Sequence, residues 1–424
     1  MRLLSVFLLV IAGQLSLASE FSDHFNGDVL RVDYFRTGNH QEAKISLHQV
    51  MVETPWSGSR TQLVDNFFFG EYRIEMWDEL NQQILFSKGY SSLFREWQTT
   101  DEAKSTMVRS YPESVHMPFP KHRVNIVFLA RQGQGEWKEE FILTVDPSDP
   151  YIMDRRDPKR DYIRIHESGD PSHCLDLVIL AEGYTMDQVA LFRQDASRFA
   201  GYLLQARPFP DFRNQINIHA VFEPSADEGT DAPGRGEWKN TVLNTRFYTF
   251  QSDRYLTTSD YHLVADMASG VPWDQVLILV NTREYGGGGI YNFYSVCSAR
   301  HPLSDFVFIH EFGHAFAGLG DEYYTSDVAY SDFYSLNIEP WEPNLTTLVD
   351  FERKWKDMLL PETPVPTPAS AAYENHTGVF EGGGYLAKGI YRPAIDCTMK
   401  SARYDNFCPV CQRAIRRMMQ TQLK

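Results

Sequence analysis

His310-Glu311-Phe312-Gly313-His314-Ala315-Phe316-Ala317-Gly318-Leu319-Gly320-Asp321-Glu322 carries more information than any other stretch of this 424-residue chain. Two histidines four residues apart lie on one face of a helix, one turn from each other. Both imidazoles can reach a single zinc ion, and the glutamate after the first sits where it can take a proton from water at that ion. A catalytic zinc takes three protein ligands, so the motif is one short. Gly318 is where the helix can stop in a left-handed turn. Asp321, three residues on, can swing its carboxylate back to the metal opposite His310 and His314. Glu322 is the neighbouring alternative, and Glu339 and Glu342 are the candidates if the third ligand comes from a later helix.

Outward from the motif, the 173–424 region reads as α/β. Leu175-Asp-Leu-Val-Ile-Leu-Ala181, Ile216 to Phe222 and Val276 to Val280 are apolar runs suited to buried strands. Thr185 and Gln188 form a capping box before a helix reaching about Gln205. Gly286 to Gly289 reads as a close approach to a ligand or a hinge, followed by an edge strand over Tyr291 to Cys297. Residues 19–150 differ: short aromatic and β-branched segments, such as Asp65 to Met76 and Val124 to Ala130, alternate with turn residues, as in an all-β sandwich. The polar stretch 151–172 reads as a linker.

The N-terminus has the pattern of a signal peptide over 1–18: Arg2, an apolar run from Leu3 to Ile11, and Ser16-Leu17-Ala18 at the cleavage site. No cysteine follows, so a lipoprotein anchor is not expected. The apolar run is shorter than the roughly 20 residues a membrane span needs. We therefore expect a secreted or periplasmic protein with no integral membrane segment. The net charge of −16 argues against a nucleic-acid partner. Five cysteines (174, 297, 397, 408 and 411) are expected to include a structural bridge between Cys397 and Cys408 or Cys411, because no second CxxC completes a zinc site.

The spacing resembles the metzincin pattern HExxHxxGxxH/D, with one extra residue before the glycine. That resemblance implies a methionine turn, for which Cys397-Thr-Met399-Lys-Ser401 is the candidate, and points to Tyr404 as a possible stabiliser of the tetrahedral intermediate. Gly183-Tyr-Thr185, Pro224 to Gly229, Leu256 to Asp260, Val280-Asn281, Tyr285 to Ile290 and His310 to Tyr323 together resemble the M64 peptidase family over roughly residues 170 to 420. The resemblance implies a zinc-dependent peptidase acting on protein or peptide, with Glu311 as general base. It implies no particular substrate, IgA included. Two other functions share these features: an exported non-catalytic binding module on a zincin scaffold, and a zinc amidase acting on a cell-wall amide. The N-terminal domain is the place for a glycan or protein contact. Arg235 and Asp227 read as loop solvation, and His301 as structural.

Overall fold

The structure is a computed structural model that describes residues 20–133, 135–156, 160–324, 334–403 and 406–423. The expected leader and Tyr404 lie outside these residues. The chain has two parts, an N-terminal domain and a larger domain carrying the histidine motif, and both combine sheets with helices.

After a single helical turn, α1 (Phe21–His24), the N-terminal domain runs through β1 (Phe25–Gly38), β2 (Ala43–Glu53), β3 (Tyr72–Asp78) and β4 (Ile84–Tyr90). Two short helices follow, α2 (Leu93–Gln98) and α3 (Asp101–Lys104), then β5 (Arg109–Pro120), β6 (Val124–Arg131), β7 (Trp137–Val145) and β8 (Met153–Asp154). The strands form two four-stranded sheets, in the orders β5-β1-β2-β8 and β4-β3-β6-β7. Strict alternation in β6 buries Val124, Ile126, Phe128 and Ala130. They meet Leu30, Val32 and Tyr34 from β1 in one core shared by both sheets.

The opposite face of β1 is polar and yet buried. Arg31 binds Asp33 through two nitrogens (2.7 and 2.8 Å) and also reaches Glu53 at 3.1 Å and Asp266 at 2.8 Å. Asp266 lies in the second domain, so this face is covered by the rest of the molecule. The helices α2 and α3 interrupt the all-strand pattern read from sequence. Their apolar residues Leu93, Phe94 and Trp97 belong to the core of the second domain, not to that of their own.

The second domain holds a six-stranded sheet in the order β13-β14-β12-β10-β11-β9. Its strands are β9 (Ile163–His166), β10 (Leu175–Glu182), β11 (Ile216–Val221), β12 (Gln275–Val280), β13 (Gly287–Ile290) and β14 (Tyr294–Ser298). β10, β11, β12 and β14 run parallel, and every residue of β10 and β12 is buried, as a strand covered on both faces requires. The edge strands β9 and β13 are antiparallel to their neighbours. Three helices accompany the sheet: α4 (Val189–Gln205), α5 (Tyr261–Ala268) and α6 (Ser304–Ala317). The Thr185–Gln188 capping box forms ahead of α4. Phe199 of α4 meets Phe308 of α6 at 5.4 Å between ring centroids. A hairpin, β15 (Phe380–Gly383) and β16 (Leu386–Arg392), and a last helix, α7 (Pro409–Gln422), complete the chain.

The edge strand is the glycine run itself, not Tyr291 to Cys297. β14 lies inside the sheet, between β12 and β13. A Cβ on Gly287 would stand 2.6 Å from Val307 Cγ1 and 2.9 Å from Glu311 Cγ, and one on Gly289 would stand 2.2 Å from the Glu311 carbonyl. Glycine here lets a strand lie directly on α6, so the backbone approaches a helix.

Candidate metal centre and active-site cleft

Helix α6 brings His310 and His314 to one side and ends at Gly318, whose left-handed backbone (φ 60°, ψ 32°) turns the chain back. Asp321 then returns beneath the two rings. His310 Nε2 and His314 Nε2 are 3.1 Å apart, and Asp321 Oδ1 lies 3.1 Å from the first and 3.3 Å from the second. Tetrahedral ligands about 2 Å from a metal stand roughly 3.3 Å from one another, so the triangle has the right size.

The outer nitrogens assign the tautomers. His310 Nδ1 faces the Thr398 carbonyl at 3.0 Å and His314 Nδ1 faces the Leu319 carbonyl, so each carries its proton there. Both Nε2 atoms then present lone pairs, and the buried Asp321 Oδ1 has no hydrogen-bond donor among the described residues. Three converging lone pairs repel one another unless a cation lies among them. The carboxylates also draw positive charge to the place. Burial disfavours charge on His314, but Asp321 and Glu311 outweigh it and push the ring up to about 9. Asp321, despite burial, is held well below the usual carboxylate range by the two imidazoles. Such a place suits a divalent metal.

Met399 packs against α6: it is fully buried, and a Cβ on Gly313, between His310 and His314, would meet its sulfur at 2.9 Å. Cys397 to Ser401 forms a tight turn in which the amides of Lys400 and Ser401 both donate to the Cys397 carbonyl, at 2.8 and 3.0 Å. Glu322 does not join the triangle. Its carboxylate points the other way, accepting from Asn344 Nδ2 at 3.0 Å and Cys411 Sγ at 3.3 Å. Glu339 accepts from Thr347 and the Asp350 amide, and Glu342 from the Tyr334 hydroxyl, so neither reaches the histidines.

Two family models match the chain: Peptidase M64 N-terminus over residues 20–142, and IgA Peptidase M64 over residues 163–375 and 369–419. The chain belongs to the M64 peptidase family. Membership makes it a peptidase of a metallopeptidase family. No curated protein matches it.

The cleft of this M64 peptidase encloses about 410 Å³ and is lined by His310, Glu311, His314 and Asp321 together with residues of both domains. Glu71, Ser91, Ser92, Arg95 and Glu96 form the N-terminal domain's share. Burial, only partly offset by the Tyr255 hydroxyl, pushes Glu96 up to about 7. Burial also raises Glu311, against the pull of His310 and His314.

Sequence reading missed Tyr385, whose hydroxyl donates to Asp321 Oδ2 at 2.5 Å. It sits at the β15–β16 turn with a left-handed backbone (φ 68°), and the turn is fastened to the loop carrying Asp321 by Gly384 N–H to Asp321 O and Tyr385 N–H to Tyr323 O. A tyrosine after three glycines was its only signal. Asn344, fully buried, bonds both the N–H and C=O of Gly320. Arg235 pairs with Glu237 and Glu284, Asp227 caps the Asn240 amide, and His301 Nδ1 accepts the Leu303 amide; none of the three lines the cleft. The expected disulfide is absent: all five cysteines are free thiols, and Cys397 and Cys411 lie 3.9 Å apart, against about 2.05 Å for a bond.

Proposed function

We propose that the protein is an exported zinc-dependent peptidase in which His310, His314 and Asp321 hold the metal and Glu311 is the general base. The observation that carries this reading is the convergence of two Nε2 atoms and an unpartnered Oδ1 within 3.1–3.3 Å, in a cleft that also contains Glu311. Two imidazoles and one carboxylate suit zinc. Zinc bound there supplies Lewis acidity to the scissile carbonyl and lowers the pKa of water towards neutrality.

The chain's own groups do the rest. Glu311 accepts a proton from the attacking water and delivers it to the leaving amine, and its raised pKa brings its basicity closer to that needed near neutral pH. Gly287 spends its outward N–H on the Arg254 carbonyl and its C=O on the Leu256 amide. By the alternation of an antiparallel strand, Gly289 also faces outward, and it lines the cleft. An extended substrate pairs with this main chain as an added strand. Tyr404 remains the proposed stabiliser of the tetrahedral intermediate. Arg254 lines the same cleft and brings a positive charge there, its guanidinium 5.6 Å from the Tyr323 ring centre.

The helix, left-handed glycine, returning carboxylate and methionine floor support a metzincin-like catalytic domain. Two four-stranded sheets around one core support a β-sandwich for the N-terminal domain. That domain's protein contact is the substrate itself, through Glu71, Arg95 and Glu96. Export rests on the leader pattern in 1–18, and among the described residues no helix is long and apolar enough to cross a membrane.

Replacing Glu311 with Gln tests the assignment. The variant should bind one catalytic zinc as the parent does and lose about 10²–10⁴-fold in kcat/KM on a peptide library. A zinc-loaded variant with parental turnover would remove Glu311 from the role.

A further inference from the structure

Behind the catalytic triangle lies a second group of metal-ligating side chains. Glu322, Cys397, Cys408 and Cys411 are all buried, and each offers a ligand atom within 4.8 Å of the other three. Three separate pieces of chain meet here: the residue after Asp321, the start of the methionine turn, and the cap and first turn of α7. We propose that these four residues bind a second, structural divalent cation, and that thiolate donors make it zinc.

The distances suit a tetrahedron. Thiolates about 2.3 Å from zinc stand roughly 3.8 Å apart, and Cys397 Sγ lies 3.9 Å from Cys411 Sγ. Cys411 Sγ is 3.3 Å from Glu322 Oε1. The Cys408 amide donates to Cys397 Sγ at 3.2 Å, and the positive end of α7, a 14-residue helix, points into the same group. Both favour thiolate.

The polar accounts do not close without a cation. Glu322 is fully buried, and its Oε2 has no hydrogen-bond partner among the described residues. The two nearby cationic side chains do not hydrogen-bond Glu322, although the Arg392 charge acts on it. Arg392 donates to the carbonyls of Glu381 and Gly382, and Lys400 to that of Ile395. A disulfide between two of the thiols would leave Glu322 Oε2 buried without a hydrogen-bond donor, which is costly. One divalent ion satisfies all four. Its binding releases the thiol protons and forms three Zn–S bonds and one Zn–O bond with no change of oxidation state.

Position suggests what this ion does. The Glu322 amide donates to the Met399 carbonyl at 2.8 Å, and the Thr398 carbonyl orients His310. An ion bridging Glu322, Cys397 and α7 would lock the ligand loop to the floor beneath the histidines.

Native mass spectrometry and X-ray absorption on the full chain test the site. A His310→Ala/His314→Ala variant leaves the cysteines untouched. It should retain one zinc per chain, with sulfur scatterers at about 2.3 Å, where the parent binds two. Adding Cys408→Ser and Cys411→Ser should remove that last ion. A histidine variant without metal, or with only nitrogen and oxygen around its metal, would overturn the proposal. So would an intact mass two hydrogens low, the mark of a disulfide. Because the histidine variant abolishes the catalytic triangle, its result does not depend on that assignment.

Discussion

His310, Glu311 and His314 were legible because helix geometry alone fixes i and i+4 on one face. Asp321 was legible as a consequence of Gly318, since a left-handed stop leaves few places for the next carboxylate. Tyr385 was not, because its hydroxyl reaches Asp321 from 64 residues away across a hairpin that no local pattern announces. An orienting role is the prediction that this bond supports. By bonding Oδ2 it leaves Oδ1 aimed at the two Nε2 atoms, and such outer partners typically contribute 10–100-fold in metal affinity. Tyr385→Phe should weaken zinc binding by about that factor, read by competition with a chelator, while excess zinc restores most of kcat. A variant with unchanged zinc affinity would make the tyrosine a cleft residue and nothing more.

At the scale of elements, the strands buried on both faces and the capped helix α4 were readable, because continuous apolar runs and the Thr185–Gln188 box are local signals. β13 was not. Glycine is a poor strand former, so the run Gly286 to Gly289 reads as a hinge, whereas its lack of side chains is what lets the strand pack on α6. The strand thereby sits against the very helix that carries His310 and His314. Gly289→Ala would place a methyl 2.2 Å from the Glu311 carbonyl, where helix backbone cannot give way. It should lower the melting temperature and, by lifting the edge strand away from α6, raise KM for extended peptides by more than the loss of stability explains. Thermal melts and steady-state kinetics on the same preparation would show both. An alanine variant with parental KM would separate the edge strand from substrate binding.

For the whole molecule, the sequence showed a change of pattern near residue 150 but not how closely the two parts interlock. That knowledge depends on contacts between distant segments. Ser57 and Trp273 bond reciprocally, Asn292 reaches the Gly89 carbonyl, the Ser91 amide reaches Tyr291, and Trp341 donates to Glu71. Arg31, buried with Asp33 and Glu53, crosses to Asp266. The larger core itself is completed by α2, from the N-terminal part, with Phe94 and Trp97 fully buried in it. A domain whose core borrows side chains from its neighbour should not unfold alone. Phe94→Ala removes a buried ring contributed by the N-terminal domain and should cost about 3–5 kcal/mol. If the two parts share their stability, calorimetry will show one transition for parent and variant alike, shifted downwards as a whole, with zinc release moving alongside it. Two transitions, of which only one shifts, would mean that the parts fold independently and that the N-terminal wall of the cleft is an attachment.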